Sequence, residues 1–300
     1  MLTSPNWDLY RSFLAVLRSG SLSAAARALD LTQPTISRHI AELEQTLARG
    51  PLFTRAPQGL TPTDAARALE PHAIAMESAA AALLRAASGA PGEVSGAVRI
   101  AASEVVGNEV LPAILRDLHA KHPALAFEVV LSNASADLLR RDADIAVRMV
   151  RPKQSALVAK KAGDVMLGLF AHPDYLAARG KPQSMRDLQD HALIGFDRDD
   201  PAAAAIGRAL GLPLSREMFA YRTDDQAAQL AALRAGFGIG ICHIALARRE
   251  PKLTRLFAKE WAFPLETWVT MHEDLRADPR MRVVFDHLAD AITRYVREGL

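Results

Sequence analysis

The chain has 300 residues, 50% of them hydrophobic, and carries a formal net charge of +2. That length and apolar content allow more than one buried core, so we expect two or three domains. The small net charge neither demands nor excludes a polyanionic partner, whereas the single cysteine, Cys242, excludes an intramolecular disulfide.

Two further features bear on the compartment. Residues 1–8 lack the basic start and apolar segment of a signal peptide, and no apolar run approaches the roughly 18 residues that cross a membrane. Cys242 lies in an apolar run, which favours a buried, unreactive thiol over a redox sensor. We therefore expect a cytoplasmic protein with no membrane partner.

The N-terminal part of the chain predicts a helix-turn-helix. An apolar stripe over residues 9–17 predicts a first helix. Within residues 20–47, Ser21 or Ser23 can cap a second helix, and Thr32 can cap a third. A short helix, a tight turn and a following helix are typical of DNA-binding helix-turn-helix units.

The third helix divides into an apolar and a polar face. Because successive helical residues are about 100° apart, Ile36, Ile40, Leu43 and Leu47 lie on one face and should form a buried stripe. Pro34 lies on the other side, which starts with polar and basic residues that can reach base edges or phosphates: Gln33, Thr35, Ser37 and Arg38. Helix pairs of this kind also occur in all-helical cores, but their solvated faces usually carry Lys and Glu. The side chains present here favour DNA binding.

A short extended pair with a Pro/Gly tip follows in residues 52–59. It suits a wing that lies along the DNA backbone. In that arrangement Arg55 points toward a phosphate or the minor groove. The alternative is a structural arginine paired with Glu42 or Glu44.

Residues 61–87 predict one long helix. Thr61 would cap it, with Pro62 in the first helical position and Asp64 three residues after the cap. Pro71 should kink or loosen the helix. Its small and apolar residues step by three and four, as in a heptad seam: Ala66, Leu69, Ala73, Met76, Ala80, Leu83 and Ala87. Such a seam predicts a partner helix, so we expect a dimer arm.

After a linker at 88–92, strands and helices alternate along the rest of the chain. Strands are predicted at 97–102, 125–131, 143–148, 165–171, 193–196, 218–222, 238–242 and 267–271. Helices are predicted at 107–121, 136–141, 201–210, 225–235, 244–249 and 280–297. This alternation predicts parallel α/β sheets in two lobes, with a ligand site at the carboxyl ends of strands.

Several motifs together resemble those of LysR-type transcriptional regulators over nearly the whole chain. The specific ones begin at Phe13: F-L-A-V, G-S-L-S-A-A-A-R-A-L, T-Q-P-T-I-S-R-H-I, L-F-T-R and G-L-T-P-T. Weaker ones follow in order, among them L-P-A-I-L-R-D-L, D-A-D-I-A-V-R and D-D-Q-A-A-Q-L-A-A-L-R-A-G-F-G-I-G.

The resemblance implies an α/β protein with an N-terminal all-helical winged helix-turn-helix and a C-terminal two-lobed effector domain like periplasmic binding proteins. It implies a regulator of transcription that binds double-stranded promoter or operator DNA as a homodimer or homotetramer, with RNA polymerase as a candidate partner. The expected domains are the winged helix-turn-helix (1–61), the dimerisation helix (62–88), a linker (89–96) and the effector domain (97–300). Its first lobe is expected at about 97–163 and 268–300, and its second at about 164–267.

The resemblance also assigns roles on the DNA side. Residue by residue, it places Gln33, Pro34, Ser37 and Arg38 in the major groove, Ser23 and Thr32 on phosphates, and Arg55 in the wing. Between Leu47 and Leu52 this chain departs from the family pattern, because it is one residue longer and lacks the first glycine. The position of the wing therefore need not follow the family.

For the effector, the resemblance implies a cleft between the lobes. The positions that match its lining are Ser103, Glu104, Asn133, Ser135, Arg148, Phe196 and Thr223. Ser103 precedes a helix whose N-terminus favours an anion, and Arg148 could add a cation. We therefore hypothesise a small effector that carries a carboxylate. The alternative is that Arg148 pairs with Asp142 or Asp144.

An enzyme is the main alternative class. The stretch 236–240 superficially resembles a dinucleotide loop, but it reads G-x-G-x-G and lies between a helix and a strand, the reverse of the required order. His119 and His122 have no third metal ligand nearby in sequence, and neither a nucleophile elbow nor a phosphate loop occurs. We expect no catalysis, cofactor or metal. The other alternative is a DNA-binding regulator without an effector, whose C-terminal domain serves only assembly.

Overall fold

The structure is a computed structural model that describes residues 6–47, 50–89, 92–133, 143–152, 157–198, 201–211, 214–250 and 252–299, without the side chains of 201–203. The chain divides between Leu84 and Arg85 into two compact units. The predicted helix at 136–141 and the candidate effector residue Ser135 lie outside the described residues.

The first unit begins with three helices and a hairpin. The helices are α1 (Trp7–Ser19), α2 (Leu22–Leu29) and α3 (Gln33–Leu47), and the antiparallel hairpin is β1 (Phe53–Ala56) with β2 (Gly59–Pro62). Of the two candidate caps of α2, Ser21 is the one used, since its side chain accepts the backbone N–H of Ala24. Thr32 caps α3 through the N–H of Thr35, as predicted. This is a winged helix-turn-helix.

The hairpin is attached to the turn between α1 and α2. The backbone N–H of Leu60 donates to the carbonyl of Gly20 at 2.7 Å. At Gly59 the φ angle is 127°, and a Cβ there would lie 2.6 Å from the Gly20 carbonyl oxygen. A glycine is therefore required where the wing meets this turn.

The long helix α4 (Asp64–Ala86) starts later than predicted. Pro62 pairs with Phe53 in the hairpin, so it belongs to the wing and not to the helix. The cap is Thr63, whose hydroxyl accepts the N–H of Ala66. The predicted Thr61 cap was wrong because Thr61 and Pro62 belong to a strand that pairs with Thr54 and Phe53 across the hairpin. The helix is continuous through Pro71.

The predicted seam of α4 is divided between two environments. Ala66 and Ala73 are buried in the core of the first unit, together with α1 and α3 side chains. By contrast, Met76 and Leu83 are 42% and 69% exposed, and the neighbouring Leu84 is also 69% exposed. The exposed apolar surface that a second helix could cover therefore lies in the C-terminal half of α4.

The second unit contains nine strands and six α-helices within its described residues. In chain order they are β3 (Gly96–Ala102), α5 (Leu111–Lys121), β4 (Leu125–Leu131), β5 (Ile145–Arg148), β6 (Leu157–Ala171), α6 (Pro173–Arg179), β7 (Leu193–Gly195), α7 (Pro201–Leu210), β8 (Phe219–Arg222), α8 (Gln226–Arg234), β9 (Ile239–His243), α9 (Ile244–Ala247), β10 (Thr254–Leu256), β11 (Phe263–His272) and α10 (Pro279–Glu298). A π-helical turn, Val106–Val110, leads into α5.

The strands form one mixed sheet in the order β4-β3-β5-β11-β6-β9-β7-β8, with β10 paired to β6. The pairs β3–β4, β3–β5, β7–β8 and β7–β9 are parallel, as predicted. The central strands β6 and β11 pair antiparallel with each other and with their neighbours. The prediction of parallel sheets was therefore wrong at the centre, where the two antiparallel strands are also longer than predicted.

Those two central strands run from one hydrophobic core to another, so the unit has two lobes. In β6, Ala162 and Val165 belong to the first core, with α5 and α10, whereas Leu167 and Leu169 belong to the second. At Gly163 the φ angle is 129°, and a Cβ would lie 2.8 Å from Val296. The pairing with β11 is irregular between Thr267 and Trp268. The lobe boundaries at 163/164 and 267/268 stay predictions.

A buried ion pair ties the end of α4 to the first lobe. Arg85 is 6% exposed, and its guanidinium donates to both carboxylate oxygens of Asp144 at 3.0 and 3.2 Å. The backbone N–H of Arg99 donates to the same carboxylate at 2.8 Å. Arg280 donates to the carbonyl oxygen of Arg85 at 3.1 Å. A cation at the C-terminal end of a helix is electrostatically favourable.

Candidate DNA-binding surface and effector cleft

The start of α3 presents a polar surface. Ile36, Ile40 and Leu43 are buried in the core, as their spacing predicted. The side chains that the sequence assigned to DNA lie on the other side: Gln33, Pro34, Ser37 and Arg38 are exposed, and Thr35 is half-buried. Because α3 rests on the core through its apolar stripe, this surface is held on a rigid element.

Hydrogen bonds orient the first turn of α3. The hydroxyl of Ser23, from α2, donates to Gln33 Oε1 at 3.0 Å. The hydroxyls of Thr32 and Thr35 are 2.8 Å apart. Ser23 and Thr32 are both exposed, so their hydroxyls lie beside the base-reading candidates. A restrained Gln33 side chain loses less conformational entropy when it contacts a base.

One buried hydrogen bond behind this surface was not anticipated from the sequence. The Ser12 hydroxyl of α1 is 2.7 Å from His39 Nδ1 of α3. Ser12 is fully buried, so the bond fixes α3 against α1 at the residue that follows the exposed Arg38. The only sequence sign was a polar residue inside an apolar stripe, and that sign does not name its partner.

The wing carries Arg55 on its exposed surface. Glu44, one of its two alternative partners, instead accepts the backbone N–H of Leu52 at 2.6 Å. Within the described residues, Arg55 forms no ion pair with Glu42 or Glu44. The Glu44 contact spans the segment in which the chain departs from the family pattern, and it fixes where the wing begins.

In the second unit, three of the predicted effector residues come together at the end of β3. The backbone N–H of Glu104 donates to Asn133 Oδ1 at 3.2 Å. The hydroxyl oxygen of Ser103 is buried and has no hydrogen-bond partner among the described residues. The carbonyl of Ser103 accepts the N–H of Gly107 at 2.8 Å, in the first helical turn. A buried hydroxyl at a helix start can bind an acceptor group of a ligand.

Arg148 ends β5 close to that point. It is 6% exposed, and its guanidinium donates to the carbonyl oxygen of Ser132. Of its two alternative partners, Asp144 already accepts hydrogen bonds from the Arg85 guanidinium and the Arg99 backbone N–H. Asp142 lies outside the described residues. Arg148 therefore lies beside the loop that carries Asn133.

Phe196 and Thr223 belong to the second lobe. The backbone N–H of Thr223 donates to the carbonyl of Gly195, so the residues after β7 and β8 lie side by side. Phe196 and Thr223 are both half-buried. The Thr223 hydroxyl accepts the N–H of Asp225, which in turn caps α8. These two residues thus flank the start of α8.

Two contacts between the lobes were not found from the sequence. Glu104 Oε2 accepts the backbone N–H of Gln226 at 2.7 Å. The Arg234 guanidinium donates to both carboxylate oxygens of Glu109, at 2.9 and 2.8 Å. The Arg234 guanidinium holds the pKa of Glu109 below its usual range, since the hydrogen bond outweighs the effect of burial. Their partners are more than 100 positions away in the chain, so no local pattern signals them.

Cys242 is buried, and burial raises the pKa of its thiol to about 12. The neighbouring His243 is also buried, and burial lowers its pKa to about 4. His119 Nδ1 is hydrogen-bonded to the carbonyl of Leu125. Among the residues that the structure describes, no group of three or more His, Cys, Asp or Glu side chains could hold a metal ion.

A winged helix-turn-helix followed by a two-lobed α/β domain defines the class of DNA-binding transcription regulators. The family described as "Bacterial regulatory helix-turn-helix protein, lysR family" matches residues 7–67, and "LysR substrate binding domain" matches residues 91–293. The chain belongs to the LysR family of regulators. The resemblance inferred from the sequence and the fold class are thereby confirmed.

Individual relatives agree with the family. The Mau operon transcriptional activator of Paracoccus denitrificans is 26% identical over 95% of this chain and 96% of its own length. An HTH-type transcriptional regulator of Xanthomonas campestris is 30% identical over 193 residues, which are 62% of this chain and 54% of that relative. Their names are those of transcription regulators.

Solved structures share the fold. CbnR, a LysR family transcriptional regulator, superposes with a TM-score of 0.68 at 20% identity over 97% of this chain and 99% of its own. CrgA from Neisseria meningitidis gives a TM-score of 0.59 at 23% identity over 96% and 99%. Within the described residues, no helix is long and apolar enough to cross a membrane.

Proposed function

We propose that the exposed start of α3 reads base edges in the major groove and that a small molecule bound between the lobes controls this activity. The observation that carries the DNA part is the division of α3. Its stripe of Ile36, Ile40 and Leu43 is buried, while Gln33, Ser37 and Arg38 face outward. Arginine and glutamine are the side chains that form bidentate contacts with guanine and adenine.

The backbone contacts follow from the same geometry. Ser23 and Thr32 flank the start of α3 with exposed hydroxyls that can donate to phosphates, and Arg55 extends from the wing. Two copies of the chain would pair along the exposed half of α4, where Met76, Leu83 and Leu84 are accessible. Pairing removes this apolar surface from water and presents two recognition helices to two half-sites.

For the effector, we infer a small molecule with a carboxylate. Ser103 contributes a buried hydroxyl without a partner among the described residues, and Arg148 places a cation beside the same loop. Glu104 adds a negative charge, but its carboxylate already accepts a hydrogen bond from the backbone N–H of Gln226 at the start of α8. We therefore expect the effector's anionic group on the Ser103 and Arg148 side of the cleft, with Phe196 and Thr223 opposite.

The effector proposal is tested by thermal unfolding of the full chain with a panel of small mono- and dicarboxylates, each paired with its amide. A ligand at 100 times its Kd stabilises the folded state by about 2.7 kcal/mol. For a domain of about 200 residues this corresponds to a Tm increase of roughly 5–10 °C.

We expect an acid to raise the Tm, its amide to have little effect, and Arg148→Ala to abolish the increase. Equal shifts with acid and amide would remove the carboxylate from the proposal. If no compound in a broad metabolite panel shifts the Tm, the result supports the alternative function, in which the C-terminal domain serves only assembly.

A further inference from the structure

Two acidic side chains on one short stretch of the first lobe reach a single helix of the second lobe. Glu104 and Glu109 stand before and within the π-helical turn that leads into α5. Their partners, Gln226 and Arg234, are the first and last residues of α8. Both ends of α8 are therefore held by the same stretch, which restrains its position and its rotation against the first lobe.

The two contacts differ in kind. Glu104 accepts a backbone N–H at 2.7 Å, so this contact depends on the orientation of α8 and not on a side chain of the second lobe. Glu109 and Arg234 form a bidentate ion pair, 23% and 35% exposed. Hydrogen bonding raises the pKa of Arg234 and lowers that of Glu109, so both are charged at neutral pH. Charge-assisted bidentate pairs are stronger than single neutral hydrogen bonds.

Val105, between the two acidic residues, packs against the apolar cluster that includes Leu230 and Leu233 of α8. The lobes are also joined by covalent continuity and by α10. The strands β6 and β11 pass from one core to the other, and α10 packs along β6. Near the end of α10, Tyr295 bonds to His243 and Glu298 pairs with Arg249. These contacts lie where the chain itself connects the lobes, so they can persist while α8 moves away from the first lobe.

We propose that Glu104 and Glu109 form a two-point latch on α8 that holds the two lobes together. When the latch opens, the cleft beside Ser103 becomes accessible from the α8 side. Glu250 also pairs with Arg234, at 2.9 Å, and this contact lies within the second lobe. Any control of the latch by an effector rests on the proposed function. The latch itself does not, because the experiment below measures it without a ligand.

The experiment breaks one contact and observes the other. In the full chain, Glu109→Gln removes the charge of the ion pair at nearly constant shape. Hydrogen–deuterium exchange, resolved to single residues by electron-transfer fragmentation, then follows the Gln226 amide, whose hydrogen bond is the Glu104 contact. If the two contacts form one latch, this amide exchanges about tenfold faster, which corresponds to about 1.4 kcal/mol. The amides of residues 231–234, inside α8, should keep their rates.

Glu250→Gln is the matched control. It neutralises the other carboxylate that pairs with Arg234, but that pair lies inside one lobe. The Gln226 amide should therefore exchange as in the parent protein. Arg234→Lys keeps the positive charge but loses the guanidinium fork, and Glu109→Asp keeps the carboxylate but shortens its reach, so intermediate rates are expected for both. An unchanged Gln226 rate in Glu109→Gln, an equal increase in Glu250→Gln, or parallel acceleration of residues 231–234 would each overturn the latch.

Discussion

Arg38 combines three properties that a base-reading side chain needs. It is exposed, it lies within the first two turns of α3, and the Ser12–His39 hydrogen bond fixes the helix beneath it. Arginine can donate two parallel hydrogen bonds to guanine O6 and N7, whereas a phosphate contact uses only its charge and one or two donors. The two roles make different predictions about sequence dependence.

Arg38→Ala should weaken binding to the cognate site by about 1–3 kcal/mol while leaving binding to random duplex nearly unchanged, because a lost base contact affects one sequence only. The measurement is a titration of labelled duplexes at two salt concentrations. Arg11→Ala, an exposed arginine on α1, is the matched control and should change neither affinity. Equal weakening on both duplexes, with a smaller salt dependence, would instead make Arg38 a phosphate contact.

The exposed and buried residues of α3 could be predicted because a helix repeats every 3.6 residues, so sequence spacing alone gives the face. The partners of individual polar side chains could not. Ser12 and His39 are 27 positions apart, and Glu109 and Arg234 are 125 apart. Which of the many polar residues meet depends on the packing of whole lobes, which no local spacing encodes.

Among the elements, α4 and β6 show which boundaries local sequence signals predict and which depend on contacts with other elements. Most helix ranges were predicted to within a few residues because caps and apolar periodicity are local signals. The true start of α4 at Asp64 depends on the pairing of Pro62 with Phe53 across the hairpin. Strand β6 begins at Leu157, eight residues before its predicted start, and its polar first half includes Lys160 and Lys161. Their charged partners come from α10 and β11.

The short elements α6 and β10 were missed for related reasons. Strand β10 has only three residues, Thr254–Leu256, and exists through its pairing with the end of β6. Helix α6, Pro173–Arg179, has seven residues and a His172 cap, a residue that local cap rules do not favour. Neither is long enough for a periodic pattern to be distinctive.

The end of α4 gives a prediction about stability. Asp144→Asn keeps an oxygen for the Arg99 N–H but leaves the buried Arg85 without its main counter-charge, so the second unit should lose about 3 kcal/mol of stability. Glu128, 3.9 Å from Arg85 and 44% exposed, offsets only part of this. Calorimetric unfolding of the full chain measures the loss.

The control for that prediction is the double variant Arg85→Met with Asp144→Asn. Removing the uncompensated charge should recover more than about 1 kcal/mol, because replacing both partners of a buried pair costs less than removing one. A single variant as stable as the parent would show that the Arg85–Asp144 pair does not hold the end of α4. Additive losses in the double variant would show that the two residues act separately.

At the scale of the whole molecule, the chain joins a helix-turn-helix unit of the LysR family to a two-lobed domain that matches the LysR substrate binding domain. The order of these parts was predicted from motifs, because the winged helix-turn-helix sequence is dense and specific. The mixed topology of the sheet was not, since it requires knowing that β6 and β11 cross between two cores. The proposed effector site and latch lie where the residues that follow β3 meet α8, so ligand binding there can be coupled to movement of the lobes.

Selection from a library of random duplexes tests the central claim, sequence-specific DNA binding through α3, most directly. The full chain should enrich a motif with two related half-sites about one or more helical turns apart, since a two-fold protein presents two recognition helices. A variant with Gln33→Ala and Arg38→Ala should lose this motif while still binding DNA weakly. If the parent chain enriches no motif, or if the variant enriches the same motif equally well, the account of α3 as the base-reading element is contradicted.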